Sequence, residues 1–144
     1  VLSAPARDEL WTAEAGRGAR LNGRPIHCGN RVNLAGARAP TDSLPREDRD
    51  LIVVAKPNSI ALRMAMVAAD EADLLATLRW GAEWDVAAAV LIALEAGAVV
   101  TDALGQPLAF NQPDPRMFGV LASVPGIHAA AVARLAERAA RAVG

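Results

Sequence analysis

Tyrosine is absent from this chain, and with three tryptophans and two phenylalanines the aromatic residues amount to only 3%. Rings cannot fill the interior, so a sequence that is 53% hydrophobic has to build its core from alanine and aliphatic side chains in close contact. Cysteine is nearly absent as well. Cys28 stands alone, which excludes an intrachain disulfide and a thiolate metal cage and suits a reducing, cytoplasmic setting. An excess of one charge is also missing: fifteen Lys and Arg against sixteen Asp and Glu leave a net charge of −1. Without a basic cluster the chain lacks the footprint of a nucleic-acid polymer binder. Long apolar runs are missing too, because Asp70, Glu71, Asp73, Asp85 and Glu95 interrupt every candidate before the roughly 20 residues that a membrane span requires. Residues 1–7 have neither the basic start nor the apolar stretch of a signal peptide and do not begin with methionine, so the expectation is a fragment or a processed product.

At 144 residues the chain can form one domain that buries about two thirds of its unfolded surface. Glu9–Ala13 and Ala19–Leu21 read as two short strands joined through Gly16-Arg17-Gly18, with Asn22-Gly23 as a second tight turn. Residues 27–49 are polar, rich in turn formers and aperiodic, which reads as a loop or linker. Leu51–Ala55 is a compact β-branched run, the signature of a strand buried on both faces. A helix is expected from Ser59 to Ala72, with Ser59 as N-cap and Ile60, Met64 and Val67 on one stripe. Asp70, Glu71 and Asp73 crowd its C-terminal end against the helix dipole, which calls for a basic neighbour. A second helix, Asp85–Ala96, is apolar all round and closed by Gly97, so it is expected between layers. Strands at Ala98–Thr101 and Met117–Ser123, a short extension at Pro107–Phe110 and a final helix from Pro125 to Val143 complete the chain. Alternating strands and helices argue for an α/β layered domain.

Within Glu83-Trp84-Asp85-Val86-Ala87-Ala88, the carboxylate of Asp85 has two readings. A helix-start aspartate caps exposed N–H groups and is favoured by the dipole. The same carboxylate, pointing outward, could bind a hard cation such as Mg²⁺. Spacing alone does not decide between them. His27 beside Cys28 has no second pair to complete a metal site, His128 falls in the first turn of the last helix and reads as a surface residue, and the tryptophans read as core or interface residues. A dinucleotide or P-loop type of site is disfavoured, since no glycine-rich strand-to-helix loop occurs.

Trp84-Asp85-Val86-Ala87-Ala88, Glu95-Ala96-Gly97-Ala98-Val99-Val100-Thr101-Asp102 and Gly105-Gln106-Pro107-Leu108 together resemble the C-terminal signature of the inositol monophosphatase superfamily: W-D-x-A-[AG], then E-A-G-G and V-T-D-x-x-G-x-P-L. Asp8-Glu9-Leu10-Trp11-Thr12-Ala13 with Gly16-Arg17-Gly18-Ala19 and Leu21-Asn22-Gly23 resembles the family's hairpin, and Asn58-Ser59-Ile60-Ala61 through Ala72-Asp73 its G-[ST]-x-A helix. Glu83-Trp84-Asp85 and Phe110-Asn111-Gln112-Pro113 are similar to the branch of 3'(2'),5'-bisphosphate nucleotidases. The resemblance implies the C-terminal half of the family's layered α/β sandwich, a mixed sheet flanked by helices and preceded by a β-hairpin. It divides the chain into residues 1–26, whose sheet would continue into a missing half, the linker 27–49 and a C-terminal α/β domain from residue 50.

The activity it implies is a Mg²⁺-dependent phosphomonoesterase with two or three ions, acting on a small phosphorylated metabolite. Asp85 is implied as a metal ligand. Asn58, Ser59 and Ile60 are implied as substrate contacts, with Lys56 and Arg79 as weaker candidates for phosphate or nucleotide. The family's other metal ligands, in a G-E-E-like segment and in D-P-[IL]-D-G-[TS], have no match here, and Asp114-Pro115-Arg116 lacks the Asp-Gly that would follow. Gly97-Ala98 replaces Gly-Gly, and Asn58 stands where glycine is common. The expectations are therefore a chain inactive alone, whose partner is a second copy or an N-terminal half, or, as the rival, a noncatalytic remnant or binding module that keeps the fold.

Overall fold

Turn chemistry organises the N-terminal region of the computed structural model, which describes all 144 residues. Four short strands, β1 (Leu2–Ala4), β2 (Glu9–Ala13), β3 (Ala19–Leu21) and β4 (Arg24–Ile26), form one antiparallel sheet in that order. Asn22 and Gly23 join β3 to β4 with φ of 49° and 78°, the left-handed pair that a two-residue hairpin turn requires. The Asn22 side chain also accepts the Leu10 N–H at 2.7 Å and donates to the Asp8 carbonyl at 2.9 Å, which fixes the turn against β2. The sheet is thus larger than a single hairpin, with β1 and β4 added to the two strands expected.

Two further strands, β5 (Arg38–Pro40) and β6 (Ile52–Val54), pair in parallel. Helix α1 (Ile60–Ala68) follows, then β7 (Leu74–Ala82), α2 (Glu83–Glu95), β8 (Val99–Thr101), β9 (Arg116–Ser123) and α3 (Pro125–Val143). The last three strands form an antiparallel sheet in the order β7-β9-β8. Three apolar clusters glue these elements into four layers. Trp11 and Ala19 from the first sheet meet Leu62, Ala65 and Ala68 of α1, Ile92 of α2 and Ala96 at its C-cap. On the opposite side, Met64 and Val67 of α1 and Val86, Ala89 and Ala93 of α2 meet Leu75, Val120 and Ala122 of the third sheet. Leu74 and Leu121, on the far face of that sheet, meet Ile127, Ala131 and Leu135 of α3. The two-residue period of β7 and β9 sends alternate side chains into the two cores, which is why this sheet is covered on both faces. The order is therefore sheet, helix pair, sheet, helix, an α/β layered fold with parallel pairing confined to β5 and β6.

Several elements depart from the sequence expectations, each for a physical reason. The 27–49 stretch is not all linker, because Arg38 is held in it. Its N–H and guanidinium donate to Asp73 at 2.8 to 2.9 Å, its carbonyl accepts the Asp73 N–H at 2.8 Å, and its far nitrogen reaches Asp70 at 2.5 Å. These are the basic contacts that Asp70 and Asp73 called for, while Glu71 faces Arg7 at 3.7 Å; the helix itself ends at Ala68, leaving the acids beyond it. Strand β6 is not buried on both faces: Ile52 and Val53 are half exposed, since β6 has only β5 beside it. Helix α2 starts at Glu83 rather than Asp85 and is not enclosed, with Trp84, Leu91 and Leu94 along its open side. Pro107–Phe110 forms no strand, although Leu108 and Phe110 still pack against the central core. His128 is not a surface residue: Ser123 Oγ lies 2.8 Å from Nδ1 and Thr101 Oγ1 3.1 Å from Nε2. Trp11 is fully buried as expected, whereas Trp80 is 56% and Trp84 71% exposed.

Candidate active site

Asp85 owes its position to its neighbour. The N-cap of α2 is Ala82, whose methyl group accepts no hydrogen bond, and Asp85 is the third residue of the helix. Glu83 is buried and turned back: its carboxylate accepts the Asn111 N–H at 2.5 Å and the Gln112 N–H at 2.9 Å, while its own N–H donates to the Pro115 carbonyl. Residues 83–85 and 110–113, which the sequence presents as two separate motifs, are thus one structural unit. With Glu83 holding that loop, Asp85 accepts no hydrogen bond from its own main chain. It stands exposed at the N-terminal end of α2, where the helix dipole favours its negative charge. Asp85 thus caps no N–H group, and of the capping reading only the favourable dipole position remains.

Asp85 opens onto a cavity of about 550 Å³ between the β5–β6 loops and β7. Lys56, Ile60, Arg63, Arg79 and Trp80 line the same cavity. Four of the six residues implied by the resemblance therefore line one cavity: Asp85, Lys56, Ile60 and Arg79. Asn58 and Ser59 do not line it, and the Ser59 hydroxyl is engaged in accepting the Leu62 N–H at 3.1 Å, the capping role expected of it. Lys56 is held by the Asp42 carboxylate. At the far end, Arg134 grips Asp50 through two contacts of 2.7 and 2.9 Å, and Arg138 grips Asp48 at 2.8 and 2.9 Å.

Arg63 is the lining residue that the sequence reading passed over. It sits one turn after Ser59, and only its spacing on the Ser59–Ile60 face of α1 could have revealed it. Burial pushes its guanidinium below the ordinary arginine value, and the nearby positive charge of Arg79 adds to that effect. Trp80 carries Arg116 5.6 Å from its ring centroid and meets Phe118 edge-on at 5.5 Å. Cys28 is half-buried with its thiol pushed up by burial, so it is not a reactive thiolate. No helix is long and apolar enough to cross a membrane.

The layered fold has counterparts among known proteins. The model of the inositol monophosphatase family matches residues 1–143. The chain belongs to the inositol monophosphatase family. It is 35% identical over 120 residues to inositol monophosphatase 2 of Solanum lycopersicum, an alignment that covers 73% of this chain and 45% of that protein. Nus factor SuhB of Xylella fastidiosa is 38% identical over 120 residues, covering 73% of this chain and 43% of its own length. Among solved structures, inositol monophosphatase from Anabaena superposes with a TM-score of 0.75 at 28% identity, covering 92% of this chain and 56% of that one. The chain spans about half the length of the relatives it matches.

Proposed function

We propose that this chain supplies one metal-binding carboxylate and part of the substrate pocket of a Mg²⁺-dependent phosphomonoesterase that acts on a small phosphorylated metabolite, a 3'(2'),5'-bisphosphate nucleotide or an inositol monophosphate. The observation that carries this reading is the Asp85 carboxylate, exposed at a helix start, unengaged by the protein and facing a cavity with cationic walls, in a chain of a phosphatase family. Asp85 fits Mg²⁺ as one ligand, a charged oxygen pair with both oxygens available. No three His, Cys, Asp or Glu side chains converge anywhere in the chain, and a hard divalent ion needs several oxygens. The remaining ligands are assigned to a region equivalent to the part of the relatives that this chain does not span. Bound Mg²⁺ supplies activation of water and neutralisation of phosphoryl charge. The chain's own residues hold the ion through Asp85 and orient the phosphate through Arg79 and the first amides of α1 near Ile60, while Lys56, already engaged by Asp42, adds positive charge to the wall.

Phosphate release from inositol 1-phosphate and adenosine 3',5'-bisphosphate with Mg²⁺ tests this reading. The chain alone is expected to give no turnover. Joined to the part of a family relative that this chain does not span, or supplied with that part in trans, it gains activity that Asp85→Asn removes. Full-rate hydrolysis by the chain alone would overturn the reading, as would full activity in Asp85→Asn.

A further inference from the structure

Strand β6 ends its sheet, with β5 on one side and no strand on the other. Arg38, Ala39 and Pro40 of β5 pair in parallel with Ile52, Val53 and Val54, and the Ile52 N–H donates to the Ala37 carbonyl at 2.9 Å. Main-chain groups alternate sides along a strand, so Val53 turns both its N–H and its carbonyl away from β5. Ile52 and Val53 are also half exposed, one on each face. Proteins guard such edges with charge, proline or a bulge, because an unpaired edge is a template for another strand. In the first sheet the edge strand β4 carries Pro25, which has no N–H to offer. Leu51–Ala55 carries none of these devices.

The segment Asp50-Leu51-Ile52-Val53-Val54-Ala55-Lys56 sets five apolar residues between an acid and a base. Laid antiparallel on a copy of itself about Val53, it places Val53 opposite Val53, Ile52 opposite Val54, Leu51 opposite Ala55 and Asp50 opposite Lys56. Acid meets base at both ends. Asp50 is gripped by Arg134 and Lys56 by Asp42, so each end becomes a row of alternating sign: Arg134, Asp50, Lys56 of the second copy and the Asp42 beside it. Exposed pairs of this kind add little energy and act chiefly on register. Val54 packs against the central core and Leu51 against the core under α3, so each face of β6 continues a layer that a second β6 would extend.

We infer that the open edge of β6 is an interface between two copies of this chain, which join their β6 strands antiparallel about Val53 into one continuous sheet. The two Val53 residues exchange N–H and carbonyl bonds across the two-fold axis, and each Ala55 N–H meets the Leu51 carbonyl of the other chain. The contact is small, which puts the dimer in the weak class of protein interfaces. It is independent of the phosphatase reading.

Sedimentation equilibrium of the chain over roughly 10 to 1,000 µM tests this, with a passage from monomer to dimer expected. Val53→Pro removes the outward N–H without breaking a bond to β5, and Val53→Lys sets two like charges on the axis. Each is expected to raise the dissociation constant about tenfold or more, while Val53→Thr leaves it within about threefold. The lysine variant keeps the backbone free of new constraint, so it decides the matter even if the proline variant unfolds. Register is read by mild oxidation. Val53→Cys is expected to give a covalent dimer, since hydrogen-bonded antiparallel partners have Cα atoms about 5.5 Å apart, within disulfide range. Ile52→Cys, opposite Val54 of the other chain, is not expected to, nor is wild type, whose Cys28 is half-buried. A chain that stays monomeric throughout would overturn the interface. So would a dimer undiminished in Val53→Lys, which would assign association to another surface such as the open side of α2, or equal cross-linking of both cysteine variants.

Discussion

Two carboxylates of α2 serve as anchors, and their values can be separated. Glu83 is buried and accepts two backbone N–H groups from the loop at Asn111 and Gln112. Its replacement by alanine leaves those donors unpaired, and denaturant unfolding is expected to show a loss of about 2 to 3 kcal/mol. Glu95 accepts the Gly16 and Gly18 N–H groups at 2.8 and 2.9 Å and ties the β2–β3 loop to the far end of α2. Those two N–H bonds hold its carboxyl below the usual glutamate value. A carboxyl depressed on folding stabilises the protein above its unfolded value and loses that contribution as pH falls through the folded one. Thermal unfolding followed below pH 4.5 should therefore show wild type losing stability with acid, while Glu95→Gln, less stable at neutral pH, loses less over that range. His128 works in the same direction through a different cause. Burial keeps its ring below the ordinary histidine value, and the Ser123 and Thr101 hydroxyls hold both nitrogens. Its neutral form is favoured in the fold, so this contribution is complete above pH 6.5 and declines as pH drops below it. Urea titrations at pH 7.5 and pH 5.5 are expected to show a smaller difference for His128→Asn than for wild type.

The element that decides the site is β7, and it was the least visible in the sequence. Its residues, Leu74 to Ala82, mix leucines with Arg79 and Gly81 and have no clean alternation, because a bulge interrupts the period midway. Gly119 makes that bulge possible. Substituting it with alanine forces a positive φ on an L side chain and drives the Cβ into Thr77 and Ala103, which is expected to cost more than about 2 kcal/mol in equilibrium unfolding. The elements that were legible carry local signals. Helix α3 begins at Pro125 and runs to Val143 as its proline start and apolar spacing indicate, and Asn22-Gly23 turns where its dipeptide says. Local signals misplaced the start of α2, since Asp85 looks like a cap. The true N-cap is Ala82, whose place is set by β7 ending there rather than by its own chemistry. Strand β5 was hidden for a related reason: its anchors, Asp70 and Asp73, lie over thirty residues away from Arg38, beyond any local window. Likewise, no spacing in the sequence pairs Glu83 with the 110–113 loop or sets Arg63 beside Arg79. Only the folded layers do.

Taken as a whole, the molecule presents a finished core and, on the proposed phosphatase reading, one part of a catalytic set. Trp11 and the alanine-rich faces of α1 and α2 seal the first sheet to the helices, and the third sheet is closed on both sides, so the part of the inositol monophosphatase fold that this chain spans has a packed core of its own. The site, by contrast, offers one exposed carboxylate and a cationic wall, in a chain that spans about half of its relatives' length. The measurement that tests this account most directly is Mg²⁺-dependent phosphate release from adenosine 3',5'-bisphosphate by the chain alone, by the chain joined to the part of a family relative that it does not span, and by that product carrying Asp85→Asn. The account predicts no turnover for the first, turnover for the second, and a drop of at least about 100-fold for the third, the size expected when a metal-binding carboxylate is neutralised at the reacting phosphate. Undiminished activity in the Asp85→Asn product, or equal activity in the chain alone, would contradict it.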